Sequence, residues 1–255
     1  MKSDNESTVR FANQNCTLVI MAKAPRPGLV KTRLSQSLPS SAITELYRCL
    51  LKDTVSLARS LPGVEIAIMC PESDKDELAQ FLGNTVRIVT QEGKGLAAGL
   101  VSVFAQFTAP RPEIAAGCDA NTGRQRVIAF NSDSPHLSPS VLDSAFATLA
   151  TRDLVIGPTQ DGGYYLVGAK VSHPTLFDND GLGTSNALER LLARARALKL
   201  STGLTETFYD IDVADDLIRL APELLLAPAR APRTAAWFAE WEQAVGQLRV
   251  RTGEL

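Results

Sequence analysis

Ile20-Met21-Ala22-Lys23-Ala24-Pro25-Arg26-Pro27-Gly28-Leu29-Val30-Lys31-Thr32-Arg33-Leu34 continues an apolar run, Cys16-Thr17-Leu18-Val19-Ile20, that reads as a buried first strand. The strand empties into a loop punctuated by Pro25, Pro27 and Gly28, residues that exclude regular helix and leave backbone N–H groups free to meet an anion. Lys23, Arg26, Lys31 and Arg33 place four cations within eleven residues of that loop. In an open α/β sheet, ligands bind at the carboxyl ends of strands, and four cations there suit a polyphosphate. A basic cluster taken alone is more often a solvated face. Its position directly after the first strand, within rigid punctuation, favours a phosphate-binding loop.

Outward from this loop, short apolar strands alternate with helical patterns. Ser41 to Ser60 has helical periodicity, with Ile43, Leu46, Leu50, Leu51 and Val55 on one face, and Pro62-Gly63 ends it. Strands are expected at 64–69, 86–89, 127–130, 154–156, 164–168 and 205–209, and helices at 73–82, 96–107, 138–150, 185–198 and 214–220. Residues 109–125 read as a loop by composition. Ser138 before Pro139 is the expected N-cap of its helix. Such βαβ alternation implies one α/β domain built on a three-layer, mostly parallel, Rossmann-like sheet with right-handed crossovers. Residues 1–15 are expected to form a flexible tail and 16–221 the main domain. Residues 222–255 carry Pro222, Pro228 and Pro232, then Trp237 and Trp241. They are expected to be a linker plus one helix, docked on the body or on a second copy of the chain to form a homodimer.

The composition narrows the class. Of the 255 residues, 45% are hydrophobic and 21% charged, ordinary for a chain that buries a real core. The net charge of −2 and a pI near 5.8 give no reason to expect nucleic acid or an anionic membrane as partner. Cys16, Cys49, Cys70 and Cys118 lack C-x-x-C spacing, against a zinc site or disulfide framework and in keeping with a reducing cytosol. The polar stretch Met1-Lys2-Ser3-Asp4-Asn5-Glu6-Ser7 lacks the apolar core of a signal peptide. No run approaches the ~18 apolar residues of a membrane span. A cytoplasmic protein is the resulting expectation.

Three acidic motifs fall where this layout puts chemistry. In Phe130-Asn131-Ser132-Asp133-Ser134-Pro135, Asp133 is held at the rim of a strand, where a carboxylate can join ligand phosphates around a hard cation such as Mg²⁺. Its bland alternative is a turn or cap residue. Gly157-Pro158-Thr159-Gln160-Asp161-Gly162-Gly163-Tyr164-Tyr165 contains Asp-Gly-Gly, a common hairpin signal that needs no function. It also reads as the opening of a strand parallel to those that carry the basic and acidic loops, with glycines allowing close approach to a ligand. In Tyr209-Asp210-Ile211-Asp212-Val213-Ala214-Asp215-Asp216-Leu217, Asp210 and Asp212 share a side of an extended segment. Asp215 and Asp216 fall in the first turn of a helix and favour its dipole. Asp212 is therefore a candidate ligand, while Asp215 and Asp216 read as structural. His136 and His173, each beside a proline in a loop, receive no role.

Taken in order, Lys23-Ala-Pro-Arg-Pro-Gly-x-Val-Lys-Thr-Arg-Leu, Ser132-Asp-Ser-Pro, Gly157-Pro-x-x-Asp-Gly-Gly-Tyr-Tyr-Leu and Asp210-Ile-Asp-x-x-x-Asp-Leu resemble a bacterial family of GT-A-fold transferases over residues 17–220. Members are described as glycosyltransferases or nucleotide-diphospho-sugar transferases. Wider relatives include the 2-phospholactate and molybdenum-cofactor guanylyltransferases. The resemblance implies that Ala22, Lys23, Arg26, Gly28, Lys31, Arg33, Gly95 and Ser132 bind the nucleotide. It further implies that Asp133 and Asp212 hold Mg²⁺ or Mn²⁺. Gln91-Glu92-Gly93-Lys94-Gly95-Leu96-Ala97-Ala98-Gly99-Leu100 departs from the Asp-Leu-Gly-x-Arg type of the family and looks more like the corresponding stretch of the guanylyltransferases.

Two reactions fit such a site. In nucleotidyl transfer, a phosphate or phosphonate acceptor attacks the α-phosphorus of a nucleoside triphosphate (NTP), and Lys31 and Arg33 meet the departing pyrophosphate. In glycosyl transfer, a metal-held nucleoside diphosphate leaves and Asp161 is the candidate base. The four-cation loop favours the first. A non-catalytic nucleotide-binding protein is the third reading, and it leaves two carboxylate motifs unexplained. Deleting either carboxylate is expected to relieve charge repulsion and spare the fold.

Overall fold

The computed structural model describes residues 15–83, 85–109, 125–177 and 186–252, with side chains described as far as residue 242. The expected tail 1–15 apart from Asn15, loop residues 110–124 with Cys118, and Ser185 lie outside them. Cys16, Cys49 and Cys70 are free thiols, and burial pushes each of them up to about 11. No helix among the described residues is long and apolar enough to cross a membrane. By internal contacts the chain forms two compact units, one of residues 1–24, 58–131 and 138–210, the other of residues 25–57, 132–137 and 211–255.

The first unit holds a single sheet. Its strands are Cys16–Met21 (β1), Val64–Cys70 (β2), Arg87–Thr90 (β3), Arg126–Asn131 (β4), Leu154–Pro158 (β5), Tyr164–Ala169 (β6) and Thr202–Leu204 (β7), in the order β3-β2-β1-β4-β6-β5-β7. β1 pairs in parallel with β2 and β4, as do β2 with β3 and β5 with β7. Central strands read as unbroken apolar runs because both faces are covered, and Leu18, Val19 and Ile20 are fully buried. On one face Val19, Met69, Ala129 and Val167 pack with Leu100 and Phe104 of the helix Gly95–Phe107 and Leu191 of the helix Ala187–Ala197. Phe104 stacks on Phe177 there at 5.4 Å. The helix Pro139–Thr151 covers the other face, where Leu149 meets Ile128 and Val155 around Gly168. Ser138 caps that helix, accepting the Ser140 N–H at 3.4 Å.

Two expectations about the sheet are corrected. β6 is antiparallel to both β4 and β5, so Asp-Gly-Gly turns a hairpin instead of opening a parallel strand. The turn closes with the Thr159 N–H on the Gly163 carbonyl at 3.0 Å and with Gly162 at φ 87°. The last strand lies at Thr202–Leu204 rather than at 205–209, where Phe208 makes only an isolated bridge to Thr159. β5 ends at Pro158, which has no N–H to extend the ladder.

The second unit is helical. It contains most of the helix Ser40–Arg59 (α1), a 3-10 turn at Thr32–Gln36, and the helices Ala214–Leu226 and Pro232–Thr252. With Lys75–Leu82 as α2, the helices named above are α3 (Gly95–Phe107), α4 (Pro139–Thr151), α5 (Ala187–Ala197), α6 (Ala214–Leu226) and α7 (Pro232–Thr252). The expected linker from 222 is corrected, because α6 continues through Pro222 to Leu226. Leu217, Leu220 and Leu224 are buried along one face and keep the helix going. The carbonyl that Pro222 leaves without a donor belongs to Ile218, which is 72% exposed and open to water. The buried Asp53 of α1 accepts the Thr234 N–H at 2.8 Å, the Thr234 hydroxyl at 2.9 Å and an Arg233 guanidinium N–H at 2.9 Å. It thereby satisfies the first turn of α7 from another element.

Candidate functional site

In the first unit, topology gathers several expected residues at one sheet edge. β1, β2, β3 and β4 point their carboxyl ends the same way, and antiparallel β6 begins beside the end of β4. That edge carries Ala22 and Lys23 after β1, Gln91 to Gly95 after β3, and the turn of Asp161 before β6. Ala22 is buried and extends the ladder by donating to the Met69 carbonyl at 3.0 Å. Lys23 is exposed. The next residue, Ala24, gives its N–H to the Asp74 carboxylate at 2.9 Å. Asp74 is itself buried, so it anchors the start of the basic loop. Gly95 begins α3 at φ 86° with open space where a Cβ would stand, and Gln91 donates to the Gly93 and Gly95 carbonyls at 3.0 and 3.2 Å. Oδ1 of Asp161 accepts from the Thr159 hydroxyl at 2.6 Å and from the Gly163 N–H at 3.0 Å. Asp161 thus has a turn-forming role that needs no ligand.

In the second unit, Lys31, Arg33, Asp133 and Asp212 come together. Lys31 stands just before the 3-10 turn in the left-handed region, φ 46° and ψ 44°, a conformation uncommon for a residue with a Cβ. This backbone sends the side chain inward, where it is 5% exposed. Its ammonium forms an ion pair with Asp133 Oδ2 and donates to Asp212 Oδ1 at 2.9 Å. Burial alone would push the Lys31 ammonium down, but Asp133 and then Asp212 outweigh it and hold the group above the usual lysine range. Burial would likewise raise Asp212; Lys31 and then Arg33 reverse this and hold the carboxyl below its usual value. Arg33, 61% exposed, reaches the other oxygen of Asp212 at 3.3 Å. Gly28, at φ 74°, has open space about it, and the Leu29 N–H closes a turn onto the Arg26 carbonyl at 3.1 Å.

The carboxylates are placed from behind. Ser132 meets the Tyr47 hydroxyl at 3.1 Å and gives its carbonyl to the Thr54 hydroxyl at 3.2 Å, which fixes the residue before Asp133 against α1. The Ser132 hydroxyl, expected on a nucleotide, is engaged in this anchor. Asp216 Oδ2 accepts the N–H groups of Asp212 and Val213, both at 2.8 Å. Sequence reasoning missed this placing role, although an acid three residues into a helix is the known signal for it. Asp210 takes a different partner from Asp212, accepting from the Asn131 amide at 3.2 Å. Asp53 and Asp74 were missed too. For Asp53 the available signal was a carboxylate beside apolar positions of a helix, and Asp74, set in the polar run Glu72 to Glu77, carried no signal of its own.

The resemblance to GT-A-fold transferases implies a divalent metal, and the donor set can be tested against it. Among the described residues, no three His, Cys, Asp or Glu side chains converge to form a protein cage. Mg²⁺ and Mn²⁺ do not require one, since one or two carboxylates with substrate phosphates suffice. Asp133 and Asp212 both reach one ammonium nitrogen, so their oxygens converge on a point that a cation can occupy. The residues fit the group.

A family model described as "Uncharacterized protein conserved in bacteria (DUF2064)" matches residues 54–184. None of the curated proteins matches the chain. Among solved structures, a Desulfovibrio desulfuricans G20 protein provisionally described as a nucleotide-diphospho-sugar transferase superposes with TM-score 0.76 at 24% identity, over 92% of this chain and 98% of its own. The inositol-1-phosphate CTP transferase of T. maritima gives TM-score 0.52 at 14% identity, over 84% of this chain and 95% of its own. The 4-diphosphocytidyl-2C-methyl-D-erythritol synthase of Anaerococcus prevotii DSM 20548 gives 0.50 at 13%, over 84% and 98%. These likenesses establish the expected Rossmann-like fold of the nucleotide-diphospho-sugar transferase type.

Proposed function

The chain belongs to the DUF2064 family of bacterial proteins, and we propose that it is a metal-dependent nucleotidyltransferase. It joins the nucleoside monophosphate of an NTP to a small phosphorylated or phosphonate acceptor and releases pyrophosphate. The observation that carries this reading is the buried Lys31 ammonium set on two carboxylates with Arg33 beside them. Such a cluster offers charge and positioning with no activated nucleophile, which is what transfer of a phosphoryl group between two oxygens requires.

In this mechanism an acceptor oxygen attacks the α-phosphorus, the new O–P bond forms, and the bond from the α-phosphorus to the bridging oxygen breaks. The electron pair leaves on pyrophosphate. Lys31 and Arg33 stabilise that developing charge, which is larger in the transition state than in bound NTP. Asp133 and Asp212 would hold the divalent cation. When bound, such a cation polarises the α-phosphoryl group as a Lewis acid. Asp216 keeps Asp212 in place, and Ser132 does the same for Asp133. The fold shared with the inositol-1-phosphate CTP transferase of T. maritima supports a triphosphate substrate.

Glycosyl transfer is the second reading, favoured by the description of the Desulfovibrio protein. It calls for a base, and the candidate Asp161 already has one oxygen committed to its turn. The deciding experiment is pyrophosphate release from a panel of NTPs with Mg²⁺ or Mn²⁺, with and without small phosphorylated acceptors. Metal-dependent, acceptor-stimulated release is expected. Absence of release, together with tighter calorimetric binding of nucleoside diphosphate sugars than of NTPs, would replace nucleotidyl with glycosyl transfer.

A further inference from the structure

Lys31 holds the place that a metal would take. Its ammonium touches one oxygen of Asp133 and one of Asp212, and those are the oxygens that converge. Two carboxylates that reach one point repel each other unless a cation stands between them. The chain supplies such a cation itself, from a side chain only 5% exposed. The carboxylates are more open, 18% exposed at Asp133 and 39% at Asp212, so an ion from solvent can approach the oxygens that Lys31 already holds. A divalent cation placed there would face a buried ammonium at close range. The repulsion ends only if Lys31 finds another anion, and a triphosphate is an anion of the right charge.

We propose that Lys31 is a built-in counter-ion that excludes free divalent metal from the Asp133/Asp212 pair and yields the position only when a polyphosphate accepts its ammonium. The inference rests on the nucleotidyl-transfer reading of this site and adds a rule of assembly to it. Metal and nucleotide bind as a coupled pair, each raising the affinity of the other by the same factor.

The test is binding of Mn²⁺ alone to the full chain, followed by water-proton relaxation and by the shift in Tm that Mn²⁺ produces. Lys31→Met and, as a polar control for folding, Lys31→Gln are expected to bind Mn²⁺ at least tenfold more tightly than wild type and to gain more Tm from it. If Lys31→Met folds only when Mn²⁺ is present, the metal has replaced the counter-ion and the proposal stands. Inorganic tripolyphosphate without metal is expected to bind the two variants at least tenfold more weakly. Equal Mn²⁺ affinity in wild type and both Lys31 variants, with Asp133→Ala still weakening it, would leave the metal site intact and overturn the exchange. Mn²⁺ affinity indifferent to Asp133→Ala and Asp212→Ala would remove the site reading, and the exchange with it.

Discussion

Asp216 holds Asp212 through the backbone: one carboxylate oxygen, Oδ2, takes the N–H of Asp212 and that of Val213, each at 2.8 Å. Val213, at the N-cap position of α6, has no side-chain acceptor of its own, so this reach back from the first turn supplies the missing partner. The same contact orients the residue that meets Lys31.

Asp216→Ala is therefore expected to act on stability and on turnover together. Loss of a helix cap costs about 0.5–2 kcal/mol, and kcat should fall as Asp212 loses its anchor. Asp215→Asn, which alters only the helix dipole, should cost about 0.3–1 kcal/mol and leave kcat near wild type. Denaturant melts and steady-state rates on the two variants check the contrast. Equal kcat in both would assign Asp216 to the helix alone.

Asp133→Ala is expected to abolish transfer and to destabilise the fold. The sequence suggests that deleting a rim carboxylate relieves repulsion. The buried ammonium of Lys31 reverses the sign, because removing its counter-charge leaves a buried cation half compensated. A cost of about 2–3 kcal/mol is expected, below the roughly 3–5 kcal/mol of a fully buried pair because Asp212 still faces the ammonium. In a double-mutant cycle, Lys31→Met should recover part of that loss. Strict additivity would remove the ion pair as the cause.

Arg33 should separate stability from activity. Its ion pair with Asp212 is long and exposed, of the kind that contributes about 0–1 kcal/mol. Arg33→Ala should thus keep the wild-type Tm within error and lower kcat, since in the proposed reaction the guanidinium stabilises charge that develops as pyrophosphate leaves. Arg33→Lys should recover little, because an ammonium lacks the planar fork that grips two phosphate oxygens. A rise in KM with unchanged kcat would instead mean that Arg33 only holds the donor.

His136 sets an acid limit. It is 3% exposed, and burial, reinforced by Arg219 and Arg230, pushes its imidazole down to about 4 from the ordinary 6.5. Between these values the unfolded chain takes up a proton that the folded chain does not. Stability should then fall as pH drops through the window from 6.5 to 4, with a slope approaching 1.4 kcal/mol per pH unit for one full proton. Urea midpoints across that range, for wild type and His136→Gln, provide the measurement. The same slope in both would move the effect to another group.

Asp53→Ala should loosen the C-terminal helix. The carboxylate is fully enclosed and serves the first turn of α7 through Thr234 and Arg233. Leaving those donors without an acceptor should cost about 3 kcal/mol. Faster hydrogen exchange in 232–242 than in the sheet would locate the loss.

Much of this was legible because the chain marks its strand ends. β1, β2 and β4 are apolar runs followed within a few residues by Pro or Asp, so the strand ends themselves could be read from the sequence. Lys31, Arg33, Asp133 and Asp212 were each visible as chemistry. What was not visible is who holds whom. Nothing in the spacing of Lys31 and Asp133 says that one neutralises the other, and the backbone turn at φ 46° that buries the lysine has no compositional signal. The direction of β6 was hidden for a simpler reason. A buried strand is apolar whichever way it runs, and only the short turn at Asp161 to Gly163 carried the answer. Pro222 misled because its penalty depends on where the unpaired carbonyl points, and that is a property of the fold.

The ion pair of Lys31 with Asp212 spans 181 residues of sequence, and this has a consequence for synthesis. A chain made from its amino end at about 5–20 residues per second exposes Lys31 roughly 10–40 s before Asp212 leaves the ribosome. During that interval the lysine has one carboxylate at most, and the helix that fixes the second does not yet exist. β7 ends at Leu204, ahead of Asp212, so every strand of the described sheet is synthesised before the second carboxylate. In the nascent protein the strands of the sheet are therefore all made before the charge pair can be completed, and an incomplete chain carries its lysine only partly neutralised.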